Sequence, residues 1–287
     1  MGKRIRREAP GQEWRNIKNK KLISAVYIIL RVLVVATMVA QFFNRNYENV
    51  LLCVLTLVLF MLPSIFERRL HIDLPDTLEI IILLFIFAAE ILGEISAFYL
   101  TFSGWDTMLH TLNGFLCAAI GFALVDILNR TDKVSLNLSP FFMAVVAFCF
   151  SMTIGVLWEF FEFSMDRFLL TDTQKDTVLS LISTVELNPD HLNKAVVIRG
   201  IQDTLLVLED GSQVSLGLGG YLDIGLIDTM EDLFVNFIGA VVFSVIGFFY
   251  VKGRGKGRFA PNFIPQRMEA PPEQREETEN EPDAESE

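Results

Sequence analysis

Apolar residues run almost unbroken through 22–43, 50–65, 78–101, 107–128, 140–161 and 233–251, with charged positions gathered between the runs. A helix crossing about 30 Å of hydrocarbon needs roughly 20 apolar residues, so the pattern predicts an all-α polytopic membrane protein with six transmembrane helices. The second run is the shortest, and without it the count is five. The pattern changes between runs five and six. Ala195–Ile201, Thr204–Glu209 and Ser212–Leu216 have strand composition, and Asp210-Gly211 is a hairpin turn signal. Asp176–Leu187 reads as a short amphipathic helix. A small external module containing a β-hairpin is therefore expected over 167–227.

Composition agrees: 52% of the 287 residues are apolar and the mean hydropathy is +0.42. The net charge of −11 is uneven. Residues 261–287 hold nine acids against Arg267 and Arg275, a balance of −7 that leaves −4 for the first 260 residues. With five prolines and few large apolar residues, this end is expected to be disordered. No basic groove interleaved with aromatics is present, so nucleic acid is excluded as a partner and membrane lipids are the expected surroundings. Cys53, Cys117 and Cys149 all fall in apolar runs, which offers no disulfide framework. Gly217-Leu218-Gly219-Gly220 opens no helix in a strand–helix–strand unit and is no dinucleotide fingerprint.

Basic residues orient the chain. Lys3, Arg4, Arg6, Arg7, Arg15, Lys18, Lys20 and Lys21 precede run one. Arg68 and Arg69 follow run two, Arg130 and Lys133 follow run four, and Lys252, Arg254, Lys256 and Arg258 follow run six. The alternate loops are poor in them, so both termini are expected in the cytoplasm. Arg31 interrupts run one and Met38-Val39-Ala40 is a poor cleavage site, which favours an uncleaved span. The resulting division is a basic cytoplasmic leader (1–21), spans one to five (22–166), the external module (167–227), span six (228–251) and a disordered acidic cytoplasmic tail (252–287).

With that topology the outer ends of the spans converge chemically. Asp106-x3-His110, Glu159-x2-Glu162, then Asp166, and Asp228-x3-Asp232-x3-Asn236 reach one depth, and span three adds Glu90 and Glu94 in its outer half. Spacings of three and four place side chains on one helix face. Asp228-x2-Glu231 also has the form of a capping box, and Asp106, after Ser103 and Gly104, suits a first helical turn. Glu159 and Glu162 lie at a C-terminal helix end, where the dipole disfavours anions. Arg31 lies near the depth of Glu90 and is expected to face the bundle and pair with it, since an unpaired charge there costs roughly 2.5–3.5 kcal/mol.

Glu94, Asp106, Glu159, Glu162, Asp228 and Asp232 cannot all stay ionised together on the positive charge of His110 and Arg167 alone. Either several are protonated or a cation sits among them. Carboxylates with one imidazole suit Mg²⁺, Mn²⁺ or Ca²⁺, or a carboxylate-rich iron or manganese pair, and not a thiolate zinc site. Asp106, His110, Glu159, Glu162, Asp228 and Asp232 are the candidate ligands, and Glu162 is also the candidate general base.

Trp105-Asp106-x3-His110-x3-Gly114, Trp158-Glu159-x2-Glu162 and Asp228-x3-Asp232-x3-Asn236-x2-Gly239 resemble the YjdF-like family of bacterial membrane proteins and, more distantly, the VanZ-like proteins. The likeness covers about residues 77–250. It implies a polytopic bacterial inner-membrane protein, and the VanZ-like side implies an association with the cell envelope. Three readings stay open: a metal-dependent enzyme acting on an envelope or lipid-linked substrate, an ion- or proton-coupled transporter, and a non-catalytic membrane scaffold. There is no Gly-x-Ser-x-Gly, His-Glu-x2-His or phosphate loop to name a reaction.

Overall fold

A computed structural model describes residues 10–70, 72–129, 138–253 and 259–267. Of 10–20, Leu70, Gln266 and Arg267 only the backbone is described. Among the described residues, five helices are long and apolar enough to cross a membrane: Lys21–Phe43, Tyr47–Arg69, Trp105–Asn129, Pro140–Leu169 and Leu226–Lys252. The first belongs to α1 (Pro10–Phe43), which starts inside the basic leader; residues 1–9 of that leader lie outside the described residues. The second consists of α2 (Tyr47–Leu59) and α3 (Leu62–Leu70), joined through Phe60 and Met61.

The expected third span is not among the five. It contains α4 (Asp76–Phe87, 12 residues), a π-helical segment (Ala88–Ile95, 8 residues), a break at Ala97 in the left-handed region (φ 57°) and α5 (Phe98–Thr101). A left-handed alanine is sterically disfavoured, so this break is imposed by the surrounding packing. The run still passes from one end of the bundle to the other. Its start follows β1 (Ile72–Asp73), which pairs antiparallel with β8 (Gln266–Arg267) beyond the last helix. Its end meets the start of α6 (Trp105–Asn129), where Phe98 and Trp105 stack edge to face at 4.9 Å.

α6, α7 (Pro140–Leu169) and α8 (Leu226–Lys252) form the tightest part of the bundle. Small residues allow it, since lipid gives apolar surfaces no reason to associate and close backbone approach must supply the attraction. A Cβ on Gly114 would collide with the Asn236 carbonyl, one on Gly239 with the Thr111 carbonyl, and one on Gly155 would lie 2.7 Å from Asn236 Nδ2. Leu116, Ala119, Phe122, Met143, Ala147, Ala240 and Phe243 fill the core between these helices. A second cluster of Leu30, Val34, Cys53, Phe60, Leu83, Ile86 and Ile91 joins α1, α2 and the third helical run.

Arg31 does not pair with Glu90. Leu30 and Val34 turn inward, so Arg31, about 100° round the helix from Leu30, is exposed. Its guanidinium lies over the Tyr27 ring at 5.1 Å, one turn toward the N-terminus, as long basic side chains do when they lead their charge away from the membrane centre. A double-mutant cycle on Arg31→Leu and Glu90→Gln is therefore expected to give a coupling below about 0.5 kcal/mol in thermal or denaturant unfolding; a larger value would restore the ion pair.

The stretch 170–225 is a β-module. β2 (Thr177–Leu179) pairs with β7 (Tyr221–Asp223), β3 (Leu181–Thr184) with β4 (Val196–Arg199), and β5 (Leu205–Val207) with β6 (Gln213–Ser215), all antiparallel. The helix expected over Asp176–Leu187 is thus two strands. The residues Thr177-Val178-Leu179 and Leu181-Ile182-Ser183-Thr184 are rich in β-branched types, and pairing partners beyond any helical turn, at Tyr221–Asp223 and Val196–Arg199, decide their state. The hairpin at Asp210-Gly211 is present. Gly211 takes φ 83°, Asp210 Oδ1 accepts the Ser212 amide at 2.9 Å, and Leu208 N donates to Ser212 O at 2.9 Å. Asp203 accepts the Ser215 hydroxyl and the Gly217 and Thr204 amides, which hold its carboxyl below the usual carboxylate range.

The disorder expected from residue 252 does not hold over 259–267. Ala260, Phe263 and Ile264 are buried, and the Phe263 ring meets Phe115 edge to face at 5.2 Å. Apolar residues before the acidic run decide this. Residues 268–287 lie outside the described residues.

Candidate functional site

α6 and α8 begin, and α7 ends, at the module end of the bundle. Trp105–Asp106 and Asp228 open their helices, so both acids are first-turn residues favoured by the helix dipole. Asp228 is not the cap of α8, however. The N-cap is Gly225 (φ 94°), and Asp223 Oδ2 accepts the Ile227 amide at 2.9 Å.

One turn deeper, His110 lies between three carboxylates. Its Nε2 is 3.5 Å from Asp106 Oδ1 and 3.6 Å from Asp232 Oδ2, and its Nδ1 is 3.9 Å from Glu159 Oε1. These separations are too long for good hydrogen bonds. His110, Glu159 and Asp232 expose only 9%, 5% and 4% of their surface. Glu159 Oε2 is buried with no hydrogen-bond partner among the described residues, although the Thr229 and Gln174 side chains lie close to the carboxylate. A buried carboxylate oxygen left without a donor costs several kcal/mol unless a cation or proton meets it.

The six expected ligands come together. His110, Glu159, Glu162 and Asp232 each offer an atom within 4.8 Å of the others, and so do Asp106, Asp228 and Asp232. Oxygen ligands on opposite sides of a Mg²⁺, Mn²⁺ or Ca²⁺ ion stand about 4–5 Å apart, so the donor set and its spacing fit such an ion. Glu94 reaches the same region electrostatically through Asp106 and Lys175. Glu90 has Glu94 as its charged neighbour, and Asp126, on the far half of α6, is outside both groups.

Asn236, the last residue of its motif, is a clip and not a ligand. Its Oδ1 accepts from Asn113 Nδ2 at 3.2 Å and its Nδ2 meets Met152 Sδ at 3.6 Å, while Ser151 Oγ donates to Gly114 O at 2.7 Å. Beneath this layer the rings of Phe115, Phe122 and Phe243 close the bundle. The glycines of the motifs, Gly114 and Gly239, belong to the same packing, which draws the helices together under the carboxylates.

The chain after α7 folds back over the site. Asp166 Oδ1 accepts from Thr171 Oγ1 at 2.8 Å, Thr173 N at 2.6 Å and Thr173 Oγ1 at 2.7 Å, and its Oδ2 accepts Gln174 N at 2.8 Å. Gln174, nearly buried, donates to Thr229 Oγ1, and Lys175 N donates to Asp228 Oδ2 at 2.7 Å. Asp166 is therefore an anchor for this strap and takes no part in the cluster. Arg167 is exposed and in no ion pair among the described residues.

Two neighbours escaped the sequence reading. Gln174 and Thr229 carry no motif; Thr229 follows Asp228 in α8, and the folded-back strap brings Gln174 to it. Tyr99 lies within electrostatic reach of Glu90, Glu94, Asp106 and Glu162, its ring against Gly93. An aromatic inside an apolar run gives no sign of such company.

Residues 25–253 match a family described as "Predicted membrane protein (DUF2238)". The chain belongs to that family. An uncharacterized protein of Thermotoga maritima is 28% identical to this DUF2238 protein over 124 residues, 42% of the present chain. The matched stretch spans 62% of the relative's own length, less than two thirds of it. No solved structure matches this DUF2238 protein. The match to the DUF2238 family includes α6, α7 and α8, and with them every residue of the cluster.

Proposed function

We propose that this integral membrane protein holds a divalent cation of the Mg²⁺, Mn²⁺, Ca²⁺ or iron class among Asp106, His110, Glu159, Glu162, Asp228 and Asp232. What carries the reading is Glu159, a buried carboxylate whose Oε2 meets no hydrogen-bond donor among the described residues, with Thr229, Gln174, further carboxylates and an imidazole around it. The positive-inside pattern puts the module and the cation site at the outer face of a bacterial plasma membrane, with both termini in the cytoplasm. The likeness to the YjdF-like and VanZ-like proteins supports that placement. In the same reading 1–21 is the leader, 22–166 and 228–251 are the spanning parts, 167–227 is the external module and 252–287 is the tail.

An enzyme acting on an envelope or lipid-linked substrate is favoured over a transporter by one observation. The layer of hydrogen-bonded polar side chains ends at Asn113 and Asn236, and among the described residues the aromatic rings of Phe115, Phe122 and Phe243 lie beneath it. The cation would polarise a substrate oxygen or activate water, with Glu162 as general base.

Elemental analysis of purified protein tests the cation. The wild type is expected to carry at least about one equivalent of metal per chain, and Glu159→Gln and Asp232→Asn each to lose at least one equivalent while remaining monodisperse. A metal-free wild type with undiminished thermal stability after chelation would overturn the reading in favour of a protonated cluster or a scaffold.

A further inference from the structure

The cluster resolves into two groups that share one residue. His110, Glu159, Glu162 and Asp232 make a deep, imidazole-bearing group, whereas Asp106, Asp228 and Asp232 make an all-carboxylate group closer to the strap. The Asp106 side chain is 31% exposed, against 5% for that of Glu159, while Asp228 and Glu162 are both half-buried, so Asp106 gives the second group its more solvated side. Asp232 alone belongs to both. A carboxylate has two oxygens and can give one to each of two cations, the arrangement of centres whose metals sit about 3.5–4 Å apart.

We propose that the site holds two divalent cations bridged by Asp232, an inner one on His110, Glu159 and Glu162 and an outer one on Asp106 and Asp228. This rests on the cation reading above and goes beyond it in number, placement and the role of one residue. Charge supports the pair. Five carboxylates converge here, one divalent cation cancels two of their charges, and a second leaves a single one, with Lys175 within electrostatic reach of Asp228. Glu159 Oε2, buried and without a hydrogen-bond partner among the described residues, gives the inner cation a ligand. The two groups differ in chemistry. Imidazole with carboxylates suits Mn²⁺ or Fe²⁺, while the outer, all-oxygen group suits Mg²⁺ or Mn²⁺ with waters completing its shell. Asp228 also receives the Lys175 amide, so the outer cation is tied directly to the strap.

Mn²⁺ is the probe, because it suits both groups and is visible by electron paramagnetic resonance. The full-length protein, stripped with chelator and equilibrated with MnCl₂, is expected to bind two Mn²⁺ per chain and to give the multiline signal of an exchange-coupled pair. Asp106→Asn and, independently, Asp228→Asn are expected to bind one Mn²⁺ and give the signal of an isolated ion. A wild type that binds one Mn²⁺ overturns the pair and leaves the single-cation reading standing. A wild type that binds none overturns both. Two uncoupled Mn²⁺, or two retained in folded Asp106→Asn and Asp228→Asn, would also overturn the bridge. The wild-type stoichiometry and spectrum decide the matter even if a variant fails to fold.

Discussion

Replacing Gly239 with leucine is expected to abolish assembly of the bundle. A Cβ at this position would overlap the Thr111 carbonyl and lie 2.8 Å from Phe115 N, both backbone atoms of α6. Side chains can change rotamer to admit an extra carbon, and such overpacking costs about 1–3 kcal/mol. A helix backbone has no such freedom, so α6 and α8 must separate. Separation also breaks the Asn113–Asn236 contact and pulls Asp232 from His110. The expected cost is on the order of 3–5 kcal/mol, a large fraction of ordinary stability. Size-exclusion profiles and unfolding midpoints in detergent will measure it. Gly114→Ala, facing the Asn236 carbonyl, should fall between wild type and Gly239→Leu. A monodisperse Gly239→Leu protein melting within about 2 °C of wild type would contradict the close approach of these helices.

Asp166→Ala should free the strap while leaving the bundle folded. One carboxylate accepts four hydrogen bonds from Thr171, Thr173 and Gln174, two of them from backbone amides. Hydrogen bonds to a charged group contribute about 1.5–3 kcal/mol each, and water recovers part of that when the loop opens. A local loss of roughly 3 kcal/mol is expected, read as about 100-fold faster hydrogen exchange at the Thr173 and Gln174 amides. Asp166→Asn, which keeps one acceptor oxygen, should show a smaller change. The midpoint of the bundle should hardly move, because the strap adds little to its apolar core. Unchanged exchange in Asp166→Ala would mean that other contacts hold this segment.

Helical periodicity and the spacing of acids made most of the bundle readable from sequence. Runs of twenty apolar residues have few alternatives in lipid, and three- and four-residue spacings fix a helix face whatever the tertiary packing. Asp106, His110, Glu159, Glu162, Asp228 and Asp232 were therefore placed together by topology alone, and their atoms do lie together. What sequence could not supply were facts set by distant partners. Asp176–Leu187 becomes strand because Tyr221–Asp223 and Val196–Arg199 lie beside it. Arg31 faces outward because the inward stripe of α1 passes through Leu30 and Val34, and a charge in an apolar run does not announce its azimuth. Asn236 shares the four-residue spacing of Asp228 and Asp232, yet Gly114 and Gly155 on two neighbouring helices pack against it. Residues 259–267 pack because Phe263 finds Phe115, a match that no local pattern encodes.

The i→i+5 ladder over Ala88–Ile95 holds one surplus residue inside a helix whose two ends are fixed. Deleting a residue there would let the ladder revert to α-helical bonding with the loops in place, whereas the same deletion in α6 would rotate everything beyond it by about 100°. The third helical run is thus the wall of the bundle expected to tolerate a change of length. Each such change would re-aim Glu90 and Glu94, altering which acids border the cluster while its ligands stay where they are.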